Sequence, residues 1–284
     1  MKDFSFERHG SDLINSRLCV ITNRVMKNNS IDTLKQLHSC IDLTSLSNAD
    51  NENSIADFVM GVNTFKENNP NIPNVAGICV YPKFVSITKQ VLIVPGVKIV
   101  SVAGGFPHAQ TFHEVKLKEI ELAVKAGANE IDIVINAGEI IDEQENKVLS
   151  DIKDMKKACG DAHLKVILET GAYTYDADIY NAAIIAMKGG ADFIKTSTGK
   201  MEPAATPRAA LIMAIAIRDY ERATGAKIGL KPAGGIRTSE QALTYYTIVK
   251  EILGEERTTN EFFRIGATSL SNALIKDINK GIYK

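Results

Sequence analysis

The sequence predicts a single (β/α)8 barrel, a TIM barrel, with an N-terminal helical extension, and three observations carry that prediction. From about residue 40, eight short β-branched runs alternate with longer stretches of helical periodicity, the pattern of repeated βα units around a parallel sheet. The chain has 284 residues, enough for one barrel of about 250 residues with an added segment. No glycine-rich dinucleotide fingerprint follows the first run, CIDLTSL, where an open doubly wound sheet would carry one.

Residues 1–39, including INSRLCVITNRVMKN, read as helical and are expected to cap the bottom of the barrel. Residues 40–284 then supply the barrel. Its expected strands are Cys40 to Leu46, Val75 to Tyr81, Lys98 to Gly104, Glu130 to Asn136, Leu164 to Glu169, Asp192 to Thr196, Ile228 to Pro232 and Phe263 to Ala267. Between them, ADIYNAAIIAMKGG and TSEQALTYYTIVKEILG show apolar residues at spacings of three and four with a glycine stop. No linker or low-complexity segment divides the chain, so one domain is expected overall.

Composition narrows the function classes. Lys and Arg number 33 against 34 Asp and Glu, so a net charge of -1 gives no long-range field for nucleic acid or an anionic membrane. Any anion must be held locally. Cys19, Cys40, Cys79 and Cys159 are widely spaced, which fits reduced thiols in the cytoplasm better than disulfides or a zinc site. The N-terminus is charged throughout and no apolar stretch approaches about 18 residues. Neither secretion nor membrane spanning is expected.

A faint internal repeat points to the site. KAGANEIDIVINAG, from Lys125, aligns without gaps to KGGADFIKTSTGK, from Lys188, each being a helix end, a glycine stop and a strand. In that register Asp132 falls opposite Lys195. Side chains alternate across a strand, so an acid and an amine in apolar strands should share the barrel interior or its mouth. Lys231, in IGLKPAGG, adds a second cation in the same setting.

A lysine has a reference pKa near 10.4 and becomes nucleophilic when desolvated or placed beside another cation. A free amine of this kind attacks a carbonyl, and the resulting iminium is an electron sink for making or breaking the adjacent C–C bond. Asp132 would carry the proton, directly or through water. The competing reading is a buried ion-pair network of Lys195, Asp132 and Lys231 that only fills the barrel. Spacing alone does not rank Lys195 above Lys231.

Three loops carry an anion-binding signature. TSTGK, GGIR and GATS follow the sixth, seventh and eighth strands, and the site after the last two is the usual phosphate cradle of this fold. Gly234, Gly235, Thr268 and Ser269 would supply N–H and hydroxyl donors, with Thr198 and Gly266 in the same loops and Lys200 or Arg237 as the charge. The same glycines could instead serve only tight turns.

Other residues are less decisive. His108 and His113 lack an adjoining cysteine or carboxylate pattern, so no metal site is expected. Cys79 reads as a small core residue rather than a nucleophile. Asp42, in IDLTSL, suits either a substrate hydroxyl or a structural ion pair. Glu169 suits either a second network carboxylate or a capping role.

The motifs IDLTSL, CVYPKFV, GGFPHAQT, EIDIVINAG, LKVILETG, ADFIKTSTGK, GLKPAGGIRT and FRIGATSL resemble those of the deoxyribose-phosphate aldolases, across nearly the whole chain from residue 40. The resemblance implies a class I enzyme that needs no metal or other cofactor. It would cleave 2-deoxy-D-ribose 5-phosphate reversibly to acetaldehyde and D-glyceraldehyde 3-phosphate. Lys195 is implied to be the Schiff-base lysine, Asp132 the proton-relay carboxylate and Lys231 the lysine that keeps Lys195 deprotonated. Lys200 and the last loops are implied to bind phosphate, Asp42 and Thr44 to contact substrate hydroxyls, and Cys79 to lie near the site. Small phosphosugar and aldehyde partners and a homodimer are also implied. The chain departs from the family pattern at MEPAATP and at the glycine pair of GGFPHAQT, and its Tyr283 is followed by Lys284 where some members end in tyrosine. Two alternatives stand beside this one: an isomerase or epimerase with Asp132 as base, and a phosphosugar-binding protein without turnover.

Overall fold

A computed structural model of the chain describes residues 4–6 and 10–282. Eight strands form one parallel sheet: β1 (Ile41–Thr44), β2 (Gly77–Val80), β3 (Lys98–Ala103), β4 (Glu130–Val134), β5 (His163–Ile167), β6 (Phe193–Lys195), β7 (Gly229–Lys231) and β8 (Ile265–Ala267). Each lies within or overlaps the run expected for it. The sheet runs in sequence order from β1 to β7, with β8 beside β1. Parallel bridges from Leu230 to Phe263 and from Ala233 to Gly266 join β7 to β8 and close the barrel.

The helices, in chain order, are α1 (Ser11–Thr22), α2 (Ile31–Ser39), α3 (Glu52–Asn63), α4 (Phe65–Asn68), α5 (Val85–Val91), α6 (His113–Ala126), α7 (Ala137–Ile141), α8 (Glu145–Ala158), α9 (Asp176–Lys188), α10 (Pro207–Thr224), α11 (Ser239–Leu253) and α12 (Leu270–Ile282). Their ends follow local chemistry. Asn51 and Thr238 form capping boxes with Ser54 and Gln241, and Thr206 caps α10 with Pro207 in its first turn. The two helix ends of the internal repeat behave alike, Gly127 at φ 116° and Gly190 at φ 97° turning the chain into β4 and β6.

Ile120, Ile152, Ile212, Leu243 and Leu274, from five helices, are buried with the outward-facing strand residues in one hydrophobic core. That burial drives the closure of the ring.

The N-terminal extension consists of α1 and α2 with a short 3-10 turn between them. α1 packs against α10 and α11, and α2 packs against α11 and α12. Ile14, Ile21, Leu34 and Leu37 are buried in these contacts, and Asn28 donates to Thr247 at 3.0 Å. The extension therefore covers α10, α11 and α12, and its end also reaches the loops that lead into the strands, where Gln36 donates to Thr258 O at 3.1 Å and Asn260 to Ser39 O at 3.2 Å. Tyr283 lies outside the described residues.

Candidate active site

Inside the barrel, where apolar layers are usual, seven ionisable side chains meet. Asp42, Glu130, Asp132, Lys165, Lys195, Lys231 and Arg264 are all 0–6% exposed. Asp132 is their centre. Its Oδ2 accepts from Lys195 Nζ at 2.9 Å and from Lys231 Nζ at 2.7 Å, while Oδ1 accepts from Lys165 Nζ at 3.1 Å. Strand register makes this possible: Asp132 is opposite Lys165 between β4 and β5, and Lys195 is opposite Lys231 between β6 and β7. Below it, Lys165 reaches Glu130 at 2.5 Å, and Arg264 joins Glu130 at 3.0 Å to Asp42 at 2.7 Å.

Burying a charge costs several kcal/mol unless partners compensate. Burial alone would raise the Asp132 carboxyl, but Lys165, Lys195 and Lys231 outweigh it and hold the group well below the usual carboxylate range. Burial would likewise lower Lys231, yet Asp132 and Asp42 overcome that and hold the ammonium above the ordinary lysine value. Lys165 is raised in the same way, against its burial, by Asp132 and Glu130. Lys165 and Lys231 are thus fixed cations, fully buried and saturated with carboxylate partners.

Lys195 differs in position. A cavity of about 590 Å³ opens above the network, and of the three lysines in the barrel interior only Lys195 lines it. The rest of the lining brings together nearly all the residues expected to bind substrate. Thr44, Thr198, Lys200, Gly234, Gly235, Arg237, Gly266, Thr268 and Ser269 all border this one cavity. It lies at the carboxyl ends of β6, β7, β8 and β1, the functional face of such barrels.

The loop glycines have a steric role here. Gly234 (φ 85°) and Gly235 (φ 77°) both take left-handed backbone, and a Cβ on Gly234 would stand 2.7 Å from the Ala204 Cβ. These conformations bring backbone N–H groups close to the cavity without side chains in the way. Lys200 Nζ donates to Leu46 O at 2.6 Å, and Thr268 Oγ1 to Thr44 O at 2.9 Å, which ties the β1 loop to the loops after β6 and β8.

Asp42 and Cys79 do not border this cavity. Asp42 is fully buried, with Oδ2 on Lys231 at 2.5 Å and Oδ1 on Arg264 at 2.7 Å, so its lone pairs serve the network below the cavity floor. Cys79 is fully buried beside Val100 and Val102, and burial pushes its thiol up to about 11. Glu169 accepts from Thr198 N at 3.1 Å and from Thr198 Oγ1 at 2.5 Å. It holds the TSTGK loop and makes no contact with Asp132. Lys165, Glu130 and Arg264 were not singled out in the sequence, although alternation along EIDIV places Glu130 on the face of Asp132.

A closed barrel whose interior network presents one lysine, paired with a carboxylate, to a cavity bordered by glycine-rich loops has the arrangement of an aldolase-type site. The chain belongs to the DeoC/LacD family of aldolases, whose pattern matches residues 37–272. It is 42% identical over 255 residues to the deoxyribose-phosphate aldolase of Bos taurus, covering 86% of this chain and 79% of that protein. Among solved structures, the aldolase QR15 superposes with a TM-score of 0.68 at 28% identity, covering 87% of this chain and 98% of that one. The tetrameric deoxyribose phosphate aldolase of Aeropyrum pernix shares the fold, with a TM-score of 0.66 at 23% identity over 91% of this chain and 97% of that one.

Proposed function

We propose that the protein cleaves 2-deoxy-D-ribose 5-phosphate reversibly to acetaldehyde and D-glyceraldehyde 3-phosphate through a Schiff base on Lys195, in the degradation of deoxyribose from deoxyribonucleotides. One observation carries the proposal: Lys195 is the only amine of the interior network that lines the cavity, and its Nζ sits 2.9 Å from Asp132.

In this reading the free amine of Lys195 adds to the aldehyde carbon of the open-chain sugar, and the carbinolamine loses water to give an iminium. Removal of the C3 hydroxyl proton lets the C2–C3 bond break, its electron pair passing to the iminium as an enamine while glyceraldehyde 3-phosphate departs. Protonation of the enamine carbon and addition of water release acetaldehyde and restore the amine. Asp132 orients Lys195 and passes protons with a water molecule, and a carboxyl held so acidic gives up an acquired proton readily. Lys231 and Lys165 keep Asp132 ionised between turnovers. Lys200 and the backbone of Gly234, Gly235 and Ser269 would hold the 5-phosphate.

The same pairing weighs against an isomerase with Asp132 as base, since the cations Lys165 and Lys231 hold that carboxylate too acidic to take a carbon-bound proton. The barrel from residue 40 onward would carry the activity, with residues 1–39 as a structural addition. No helix among the described residues is long and apolar enough to cross a membrane. We place the enzyme in the cytoplasm as a homodimer, which light scattering of the purified protein tests.

The activity is tested by incubating the protein with 2-deoxy-D-ribose 5-phosphate and measuring acetaldehyde and glyceraldehyde 3-phosphate in equal amounts. Binding of the sugar phosphate without either product would contradict the proposal.

A further inference from the structure

The buried charges of the barrel interior close into a ring. Arg264 pairs with Glu130 at 3.0 Å, Glu130 with Lys165 at 2.5 Å, and Lys165 with Asp132 at 3.1 Å. Asp132 continues to Lys231 at 2.7 Å, Lys231 to Asp42 at 2.5 Å, and Asp42 returns to Arg264 at 2.7 Å. Three cations and three carboxylates alternate, each touching two of the opposite sign, so the ring is neutral without Lys195. Lys195 joins it from outside, at Asp132.

All six ring members are held in their charged forms. Burial opposes charge on every one, and the ring partners overcome it. They keep Asp42, Glu130 and Asp132 below the usual carboxylate range and Lys165, Lys231 and Arg264 above the ordinary value for their type. The other groups near Lys195 add no charge inside the barrel. Cys79, on β2, is a neutral thiol, pushed up to about 11 by burial. Glu169 is turned to Thr198, and Lys200 and Arg237 border the open cavity as exposed side chains that solvent screens. Excess charge in a buried network is costly, and protonating Lys195 would set a fourth cation against three carboxylates.

We infer that Arg264 is a positioning residue for the aldolase reaction: by completing the ring it leaves no carboxylate charge unmatched that would hold Lys195 as an ammonium ion. The cavity-facing amine is thereby kept free to add to a carbonyl. Arg264 does not border the cavity. It acts through Asp42 and Lys231 on one side and through Glu130 and Lys165 on the other, two arms that meet at Asp132. The inference rests on the Schiff-base reading above and extends it to Arg264 and Glu130.

The ring predicts pH shifts of opposite sign in the full-length protein. Imine formation with acetaldehyde is trapped by cyanoborohydride and read by intact mass between about pH 5 and pH 10, the span over which a lysine amine titrates in a protein. Arg264→Met leaves the three carboxylates with two ring cations and recruits Lys195 as the third. The midpoint of trapping should rise by about one pH unit or more, and the rate at neutral pH should fall about tenfold. Arg264→Lys, which keeps the charge, should stay near the unaltered protein. Glu130→Gln removes a carboxylate with little change of shape and should move the midpoint down. Arg264→Met combined with Glu130→Gln restores neutrality, two against two, and should return the midpoint to that of the unaltered protein. A role confined to holding the fold together would instead make this double variant the worst of the set, since it has lost the most bonds. If Arg264→Met does not fold, Glu130→Gln and the double variant carry the comparison. An unmoved midpoint in Glu130→Gln, or a double variant displaced from the unaltered protein, would overturn the inference and leave the Schiff base on Lys195 standing. No adduct on Lys195 in the unaltered protein would overturn both.

Discussion

Asp132 Oδ2 is shared by Lys195, at 2.9 Å, and Lys231, at 2.7 Å. One carboxylate oxygen thus joins the amine that lines the catalytic cavity to a cation locked in the barrel interior.

Asp132→Asn removes the acceptor but keeps the shape. Cleavage of deoxyribose 5-phosphate should fall by about 10²-fold or more, the ordinary contribution of a positioned proton carrier. Because Lys165 and Lys231 then lose a shared anion, stability should fall by about 3–5 kcal/mol, the cost of breaking a buried pair. Steady-state kinetics and urea denaturation read the two effects separately. An active, fully stable variant would contradict the account of the network.

Lys200→Met should act on phosphate recognition alone. The expected result is a KM for deoxyribose 5-phosphate raised about tenfold, from the loss of a hydrogen bond to a charged group worth about 1.5 kcal/mol. Its rate with unphosphorylated deoxyribose should change little. Equal losses on both substrates would move Lys200 from binding to chemistry.

Glu169→Ala frees Thr198 N and Oγ1 from their shared carboxylate. The TSTGK loop should loosen, raising KM several-fold with a smaller change in kcat. Kinetics with deoxyribose 5-phosphate check this, and a fall in kcat with KM untouched would contradict it.

His38 gives the stability a pH dependence far from the catalytic cavity. Its ring is buried against Phe65 and bonded to Pro73 O at 2.7 Å and Ser271 Oγ at 2.8 Å, and burial lowers its pKa to about 4. The unfolded chain, with a histidine pKa near 6.5, binds the proton first as pH falls. Stability contributed by neutral His38 is therefore present above about pH 6.5 and is lost progressively down to about pH 4, for a total of about 3 kcal/mol. Asp42 and Asp132, both held below the usual carboxylate range, add a further loss only below about pH 4. Denaturation from pH 7 to 4 should show the first slope, and His38→Gln should flatten it.

Much of this was legible in the sequence, and the reasons are specific. Eight strands could be read because each is a short β-branched run bounded by a glycine or polar turn. The register of Asp132 with Lys195 could be read because the two βα units carry the same helix stop, Gly127 and Gly190. The gathering of TSTGK, GGIR and GATS at one cavity could be read because they follow consecutive strands. The choice between Lys195 and Lys231 could not, since both are lysines inside apolar strands, and only three-dimensional packing shows which amine faces the cavity. Asp42 was ambiguous for a related reason: its partner Arg264 is 222 residues away. The packing partners of α1 and α2 were not legible because an apolar stripe says that a helix is covered, and leaves open by what.

The central claim is that Lys195 forms the covalent intermediate. The most direct measurement is borohydride reduction in the presence of acetaldehyde or deoxyribose 5-phosphate, followed by intact-mass analysis and peptide mapping, with Lys195→Arg as the control. The account predicts one stable adduct on the peptide that contains Lys195, absent from the arginine variant, which remains protonated and forms no imine. An adduct on Lys231, or none while the sugar phosphate demonstrably binds, would contradict it.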